Sequence, residues 1–160
     1  MSTPGLTIDD SARFLGHATW LEGRLFEVLG SWVTSTPEPA VKLALARHSR
    51  HHAWYAELLE PLRPDTRDHT RDTRAPLDAG WRTLVSRMLA ASTTTPRLDR
   101  LIEVLVAAIA SSEQHLVATR PIRDAPTRRV LGLVLEAERA ELVELEALRR
   151  IDAGIAPNGR

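Results

Sequence analysis

Residues 131–148 read LGLVLEAERAELVELEAL. Leu131, Val134, Glu138, Glu141, Leu145 and Leu148 follow one another at steps of 3, 4, 3, 4 and 3, the repeat that lines side chains along one face of an α-helix. The two central members of that stripe are acidic where a helix core takes leucine. An inward pair of carboxylates is costly without partners, so the other segments are read for what they place at the same depth.

Helix signals dominate on either side of this stretch, and the spacing predicts five helices. One spans 124–152, with Asp124 as its cap and Gly154 closing it. A first helix covers 9–34, with Asp9 or Asp10 as N-cap. A second covers 37–60, where Thr36 serves as cap, Pro37 lies in the first turn and Glu38 supplies an early carboxylate. A short helix at 78–91 is followed by one at 96–119, opened by Thr95 and Pro96. Residues 61–77 read as an exposed loop. Within it Arg67, Arg71 and Arg74 alternate with Asp65, Asp68 and Asp72, which favours a solvated connection over a site for an acidic partner. Period-two strand patterns are not convincing anywhere.

Four long helices of similar length, two short joints and one long joint predict an all-α single domain spanning 1–160. It would comprise two antiparallel hairpins joined by a long crossover that carries a short extra helix. The midpoints of the core stripes are then decisive. In the first helix Leu15, Ala18, Glu22, Leu25, Leu29 and Trp32 form the stripe, with Glu22 facing inward. The second offers two stripes, one through Ala44, His48, His51, Tyr55 and Leu58, the other through Leu45, His48, His52, Tyr55 and Leu59. His48 belongs to both, and the choice between His51 and His52 stays open. In the helix at 96–119 the stripe is read as Ile102, Val106, Ile109, Glu113 and Leu116. Each polar residue lies about ten to sixteen residues into its helix, and antiparallel helices of similar length align their midpoints. One shared layer of carboxylates and imidazoles is expected, neutralised by one or two dications or by protonated histidines.

Composition narrows the chemistry. The chain has 160 residues, 21 basic and 21 acidic, and no cysteine. Zero net charge gives no reason to expect nucleic acid or an anionic membrane as partner. Without cysteine there is no disulfide, thiolate site or thiol nucleophile, so any metal must use His, Asp and Glu. The N-terminus lacks a basic segment followed by an apolar run, and 18 successive apolar residues occur nowhere, so a cytoplasmic protein is expected. The apolar faces could also support a homodimer.

The pattern resembles the ferritin-like di-iron carboxylate superfamily, with one Glu on each of two helices and Glu-x-x-His on each of the other two. Glu22 and Glu113 match the single glutamates. His48-Ser49-Arg50-His51 stands for one Glu-x-x-His, and Glu138-Arg139-Ala140-Glu141 for the other. The resemblance implies a ferritin-like four-helix bundle and metal ligands Glu22, His48, His51, Glu113, Glu138 and Glu141, holding iron or manganese in a mononuclear or dinuclear site. It implies an oxidoreductase that acts with dioxygen on a small organic substrate or on iron itself. His48, Tyr55 and Glu138 are the candidate catalytic groups, His17 a residue behind the ligands, and Leu25, Phe26, His52, Trp54 and Ile109 the lining of a substrate pocket. Two other expectations stand beside it: a metal-free bundle that uses His48, His51 and Glu138 for acid-base chemistry on a bound small molecule, and a helical protein-interaction module.

Overall fold

A computed structural model of the chain describes residues 6–64 and 74–154. Among the described residues the chain is all-helical, with α1 (Ile8–Val33), α2 (Pro39–Leu59), α3 (Ala79–Leu89), α4 (Thr94–Ala118), α5 (Ala125–Asp152) and a 3-10 turn at Glu60–Leu62. Most of the expected loop, including Arg67 and Arg71, lies outside the described residues. The helix ends differ in detail from the expected caps. Thr7, not Asp9 or Asp10, caps α1: its hydroxyl accepts the Asp10 N–H while the Asp10 carboxylate accepts the Thr7 N–H, a reciprocal capping box. Thr36 is buried rather than a cap. Its hydroxyl donates to the Trp32 carbonyl at 2.8 Å and accepts from Arg97 at 3.1 Å, so it ties the end of α1 to the start of α4. Glu38 occupies the N-cap of α2, and Thr93 rather than Thr95 that of α4. Asp124 sits at the N-cap of α5 without capping it, its carboxylate engaged by the Arg120 N–H and by Arg123. Past α5, Gly154 adopts φ 70°, the left-handed conformation that stops a helix.

Contacts along the seams give the direction of each helix. Ser49 donates to the Phe26 carbonyl at 2.9 Å while His52 meets Glu22, so α1 and α2 are antiparallel. Phe14 stacks on His115, and Arg97 lies 5.5 Å over the Trp32 ring, so α1 and α4 are antiparallel. Arg149–Asp99 and Arg139–Glu113 ion pairs make α4 and α5 antiparallel, and His48–Glu144 with His52–Glu141 does the same for α2 and α5. Accordingly α1 and α5 point one way, α2 and α4 the other. The segment between α2 and α4 carries the chain from one end of the molecule to the other. On the way Leu77 donates its N–H to His17 Nδ1 at 3.4 Å, and the Trp81 ring of α3 packs 4.5 Å from His17.

The core falls into two apolar clusters. The larger contains Leu25, Leu29 and Trp32 of α1, Leu45 of α2, Trp81 and Met88 of α3, Leu98, Leu101 and Leu105 of α4, and Leu145 of α5. The smaller contains Phe14, Leu15, Ala18, Leu59 and Leu131. By length and composition α4 is apolar enough to cross a membrane, but its Leu98, Leu101 and Leu105 are fully buried against the other helices, the pattern of a core helix. Where the two clusters meet, the apolar packing of each long helix is interrupted by at least one buried polar side chain. That interruption positions the site.

Candidate functional site

Six buried polar side chains form the interruption: Glu22 of α1, His48 and His52 of α2, Ser112 of α4, and Glu138 and Glu141 of α5. His52, with no exposed surface, is at the centre. Its Nδ1 lies 2.6 Å from Glu22 Oε2 and its Nε2 3.2 Å from Glu141 Oε1. The i, i+4 spacing of the two imidazoles puts His48 one turn from His52 on the same face. His48 Nδ1 approaches the other Glu141 oxygen at 3.2 Å. That approach is off the line of a hydrogen bond, so His48 Nδ1 and Glu141 Oε2 are both buried without a hydrogen-bond partner. On its outer side His48 Nε2 meets Glu144 at 2.9 Å, and Glu144 is paired with Arg47 at the surface. A line of alternating carboxylates and imidazoles thus runs from the half-exposed Glu144 to the interior.

The electrostatics follow from this packing. Burial disfavours a charged His52, but Glu22 and Glu141 on either side outweigh it and hold the imidazolium well above its ordinary range. Burial likewise opposes charge on Glu141, and His52 and His48 overcome it, bringing the carboxyl down to about 2. Glu138 goes the other way. Burial and the neighbouring Glu22 carboxylate push it well up, so it keeps its proton, while its Oε2 has no hydrogen-bond partner. Tyr55, buried with its ring edge-on to His52 at 5.8 Å, is pushed up to about 12 by burial and by the charges of Glu141 and Glu22. It can donate a proton in a hydrogen bond but is a poor base near neutrality.

Several expected positions are corrected. Glu113 is exposed and paired with Arg139, and Ser112 takes the inward place. The true inward stripe of α4 is Leu98, Leu101, Leu105, Ala108, Ser112 and His115, one residue before the expected one, and Val106 is 50% exposed. One residue is a rotation of 100°, and α4 is apolar on more than one face, so its spacing fits either register. On α2 it is His52 that faces inward. His51 is half-buried beside Arg47, Arg50 and Trp54, and burial together with the neighbouring His48 lowers its basicity. The expected substrate pocket does not assemble either. Phe26 and Trp54 are 45% and 48% exposed on the outside, His52 belongs to the polar layer, and Leu25 and Ile109 are packed in the interior. The cavity adjoining the layer measures about 10 Å³ and is lined by Glu22, Glu138, Ser111, Ser112, Ala108 and His17 among others. None of the five expected lining residues borders it: Phe26 and Trp54 face outward, and Leu25, His52 and Ile109 are packed away from it.

His17 and His115 are both buried among apolar neighbours. His17 packs against Trp81, and His115 stacks on Phe14 at 3.8 Å; burial lowers each to about 4. Sequence reasoning missed Glu144, Arg47 and Ser112. Glu144 carried a signal in the continuing Glu138, Glu141, Glu144 series at i, i+3, i+6. Ser112 carried one only in the alternative stripe Leu101, Leu105, Ala108, Ser112 and His115, as regular as the one through Glu113.

The donor set suits a first-row metal: carboxylates from Glu22, Glu138 and Glu141, and imidazoles from His48 and His52. Among the described residues no three His, Asp or Glu side chains are already grouped as a metal site; the donors are instead paired with one another. Each 3.2 Å approach of an imidazole nitrogen to a Glu141 oxygen nevertheless equals a neighbouring-ligand spacing, since two ligands at about 2.1 Å and roughly 100° apart on one ion lie about 3.2 Å from each other. The orphaned His48 Nδ1, Glu141 Oε2 and Glu138 Oε2 are where a cation would relieve an unmet interaction. The residues fit such an ion with a local shift of side chains. No protein-family model, curated protein or solved structure matches the chain.

Proposed function

We propose that this chain is a ferritin-like bundle whose central layer binds one or two divalent ions of iron or manganese and serves as an oxidoreductase centre that works with dioxygen. The observation that carries the reading is the trio of buried donor atoms without hydrogen-bond partners, on His48, Glu138 and Glu141. Leaving a buried polar atom without a hydrogen bond costs about 1–3 kcal/mol, an unmet interaction that a bound dication would relieve. The residues that would hold it are Glu22, His48, His52, Glu138 and Glu141. When bound, the ion supplies one-electron redox chemistry toward dioxygen.

The chain's own groups do the rest. Glu141 reaches both imidazoles, one with each oxygen, and so sets their relative position. Glu144 and Arg47 close the layer toward solvent. Tyr55 keeps its phenolic proton beside His52 and is a donor to whatever binds there. The adjoining cavity, about 10 Å³, is too small for an organic substrate, so under this reading iron itself, or an organic molecule held at the surface, is the species oxidised.

The test is loading. Protein purified without a metal-chelating tag is exposed anaerobically to ferrous iron or to manganese, desalted and analysed for bound metal beside a His48→Ala, Glu141→Ala double variant. Stoichiometric metal in the wild type and its loss in the variant are expected. A wild type that stays empty defeats the proposal. One observation favours a second reading: the 2.6 Å His52–Glu22 contact already offsets a buried carboxylate with a protonated imidazole. Under that reading the protein is a metal-free acid-base or small-molecule-binding bundle. An imidazole resonance of His52 that stays protonated and unbroadened after manganese addition would support it.

A further inference from the structure

The outer face of α2 carries a groove of about 470 Å³ lined by Ala46, Arg47, Arg50, His51 and Trp54, a volume within the range of small-molecule sites. Arg47, Arg50, His51 and Trp54 fall at i, i+3, i+4 and i+7, one stripe about 10 Å long at 1.5 Å per residue. Guanidinium groups occupy one end and the middle, and the indole the other end. Trp54 is 48% exposed, whereas Trp32 and Trp81 are buried and Trp20 is partly buried. Its ring is tilted against Tyr55 at a centroid distance of 5.8 Å, which gives the exposed indole a defined orientation. Among the described residues no carboxylate lines the groove, and Arg50 projects into solvent.

We infer that this groove binds a planar aromatic anion, with its carboxylate or phosphate on Arg47 and Arg50 and its ring on Trp54. Guanidinium groups take oxyanions in bidentate fashion, and an indole face takes a ring. A second copy of the chain suits the face poorly, because an isologous contact brings two Arg47–Arg50 stripes into one interface, with no carboxylate among the described lining residues to offset them. Arg47 is shared with Glu144, which also holds His48 Nε2. An anion that draws Arg47 away therefore reaches the rim of the buried layer. The inference goes beyond the metal reading and stands without it, because binding is measured on metal-free protein.

Isothermal titration calorimetry on the full chain would use naphthalene-2-carboxylate and 2-naphthyl phosphate as probes, with naphthalene-2-methanol and inorganic phosphate as controls. Saturable one-to-one binding of at least one anionic probe is expected, with each control weaker by about tenfold; a preference between the two probes names the head group. Arg50→Gln and Trp54→Ala should each weaken binding by about tenfold, and Arg82→Gln, at an exposed arginine on α3, should leave it unchanged. Absence of binding, equal affinity for naphthalene-2-methanol, or wild-type affinity in both variants overturns the inference. So does a wild-type dimer in light scattering that Trp54→Ala dissociates, since a second copy then covers the face.

Discussion

Three fully or nearly buried histidines show how differently the same side chain behaves in two regions of one core. His52, in the polar layer, is bracketed by Glu22 and Glu141 and held charged. His17 and His115, set among apolar rings on α1 and α4, are driven neutral, each to about 4. Burial acts against the charge in all three, and only the carboxylates of α1 and α5 reverse its outcome. Depth in the core therefore does not decide protonation; the company at that depth does.

The comparison is broken most forcefully by removing one member of the charged set. Glu141→Leu removes one of the two carboxylates that hold His52 charged and the carboxylate that faces His48 Nδ1, and about 3–5 kcal/mol of stability should be lost in urea unfolding. The double variant His52→Leu, Glu141→Leu should lose clearly less than the sum of the two single variants, because each single variant already forfeits the same His52–Glu141 contact. Strict additivity would mean that the pair does not interact.

Acid sharpens the contrast next. Glu141, depressed to about 2, contributes stability that is present above its unfolded value of 4.5 and is lost as pH falls toward 2. His17 and His115 act earlier. Because they stay neutral in the fold down to about 4 while the unfolded chain takes up protons near 6.5, stability falls as pH drops from 6.5 toward 4. His52 has the opposite sign. Its contribution is complete below 6.5 and fades only as pH rises through its elevated value. Unfolding midpoints measured across pH should thus decline in two stages on the acid side, and His115→Phe should flatten the first stage while leaving the second in place.

A smaller effect is expected at Glu138. Being held protonated by burial and by Glu22, it should tolerate Glu138→Gln within about 1 kcal/mol near pH 4.5. The variant should gain on the wild type as pH rises above 4.5, where the unfolded chain ionises and the folded carboxyl does not. A loss that grows with pH would show that Glu138 is ionised in the fold. Glu113→Gln, at the exposed pair with Arg139, serves as the surface control and should change stability by less than about 0.5 kcal/mol.

Much of the fold was legible from punctuation and period. Proline, glycine and threonine placed the breaks, and the observed helices begin and end within about two residues of the expected bounds. The caps were less legible, since Thr36 and Thr95 have the right chemistry for an N-cap yet bond to Trp32 and Asp152 respectively. In the site, the burial of Glu22, His48, Glu138 and Glu141 could be read from stripes flanked by leucines. Glu113 and His51 could not be placed that way, because each has a neighbour, Ser112 or His52, that fits an equally regular stripe.

The amino-acid sequence by itself determined that this chain is helical, that carboxylates interrupt the apolar stripes of α1 and α5, and that imidazoles stand at matching depth on α2. Those are consequences of local spacing, which sets the angle between residues on one helix. Only the tertiary structure decided how each helix turns about its own axis. It brought Ser112 and His52 inward, left Glu113 and His51 outside, and set Glu144 and Arg47 at the mouth of the layer. Rotation costs little in an isolated helix that is apolar on several faces, so it is fixed by how four helices share one core, and that lies outside what the spacing within any one of them can specify.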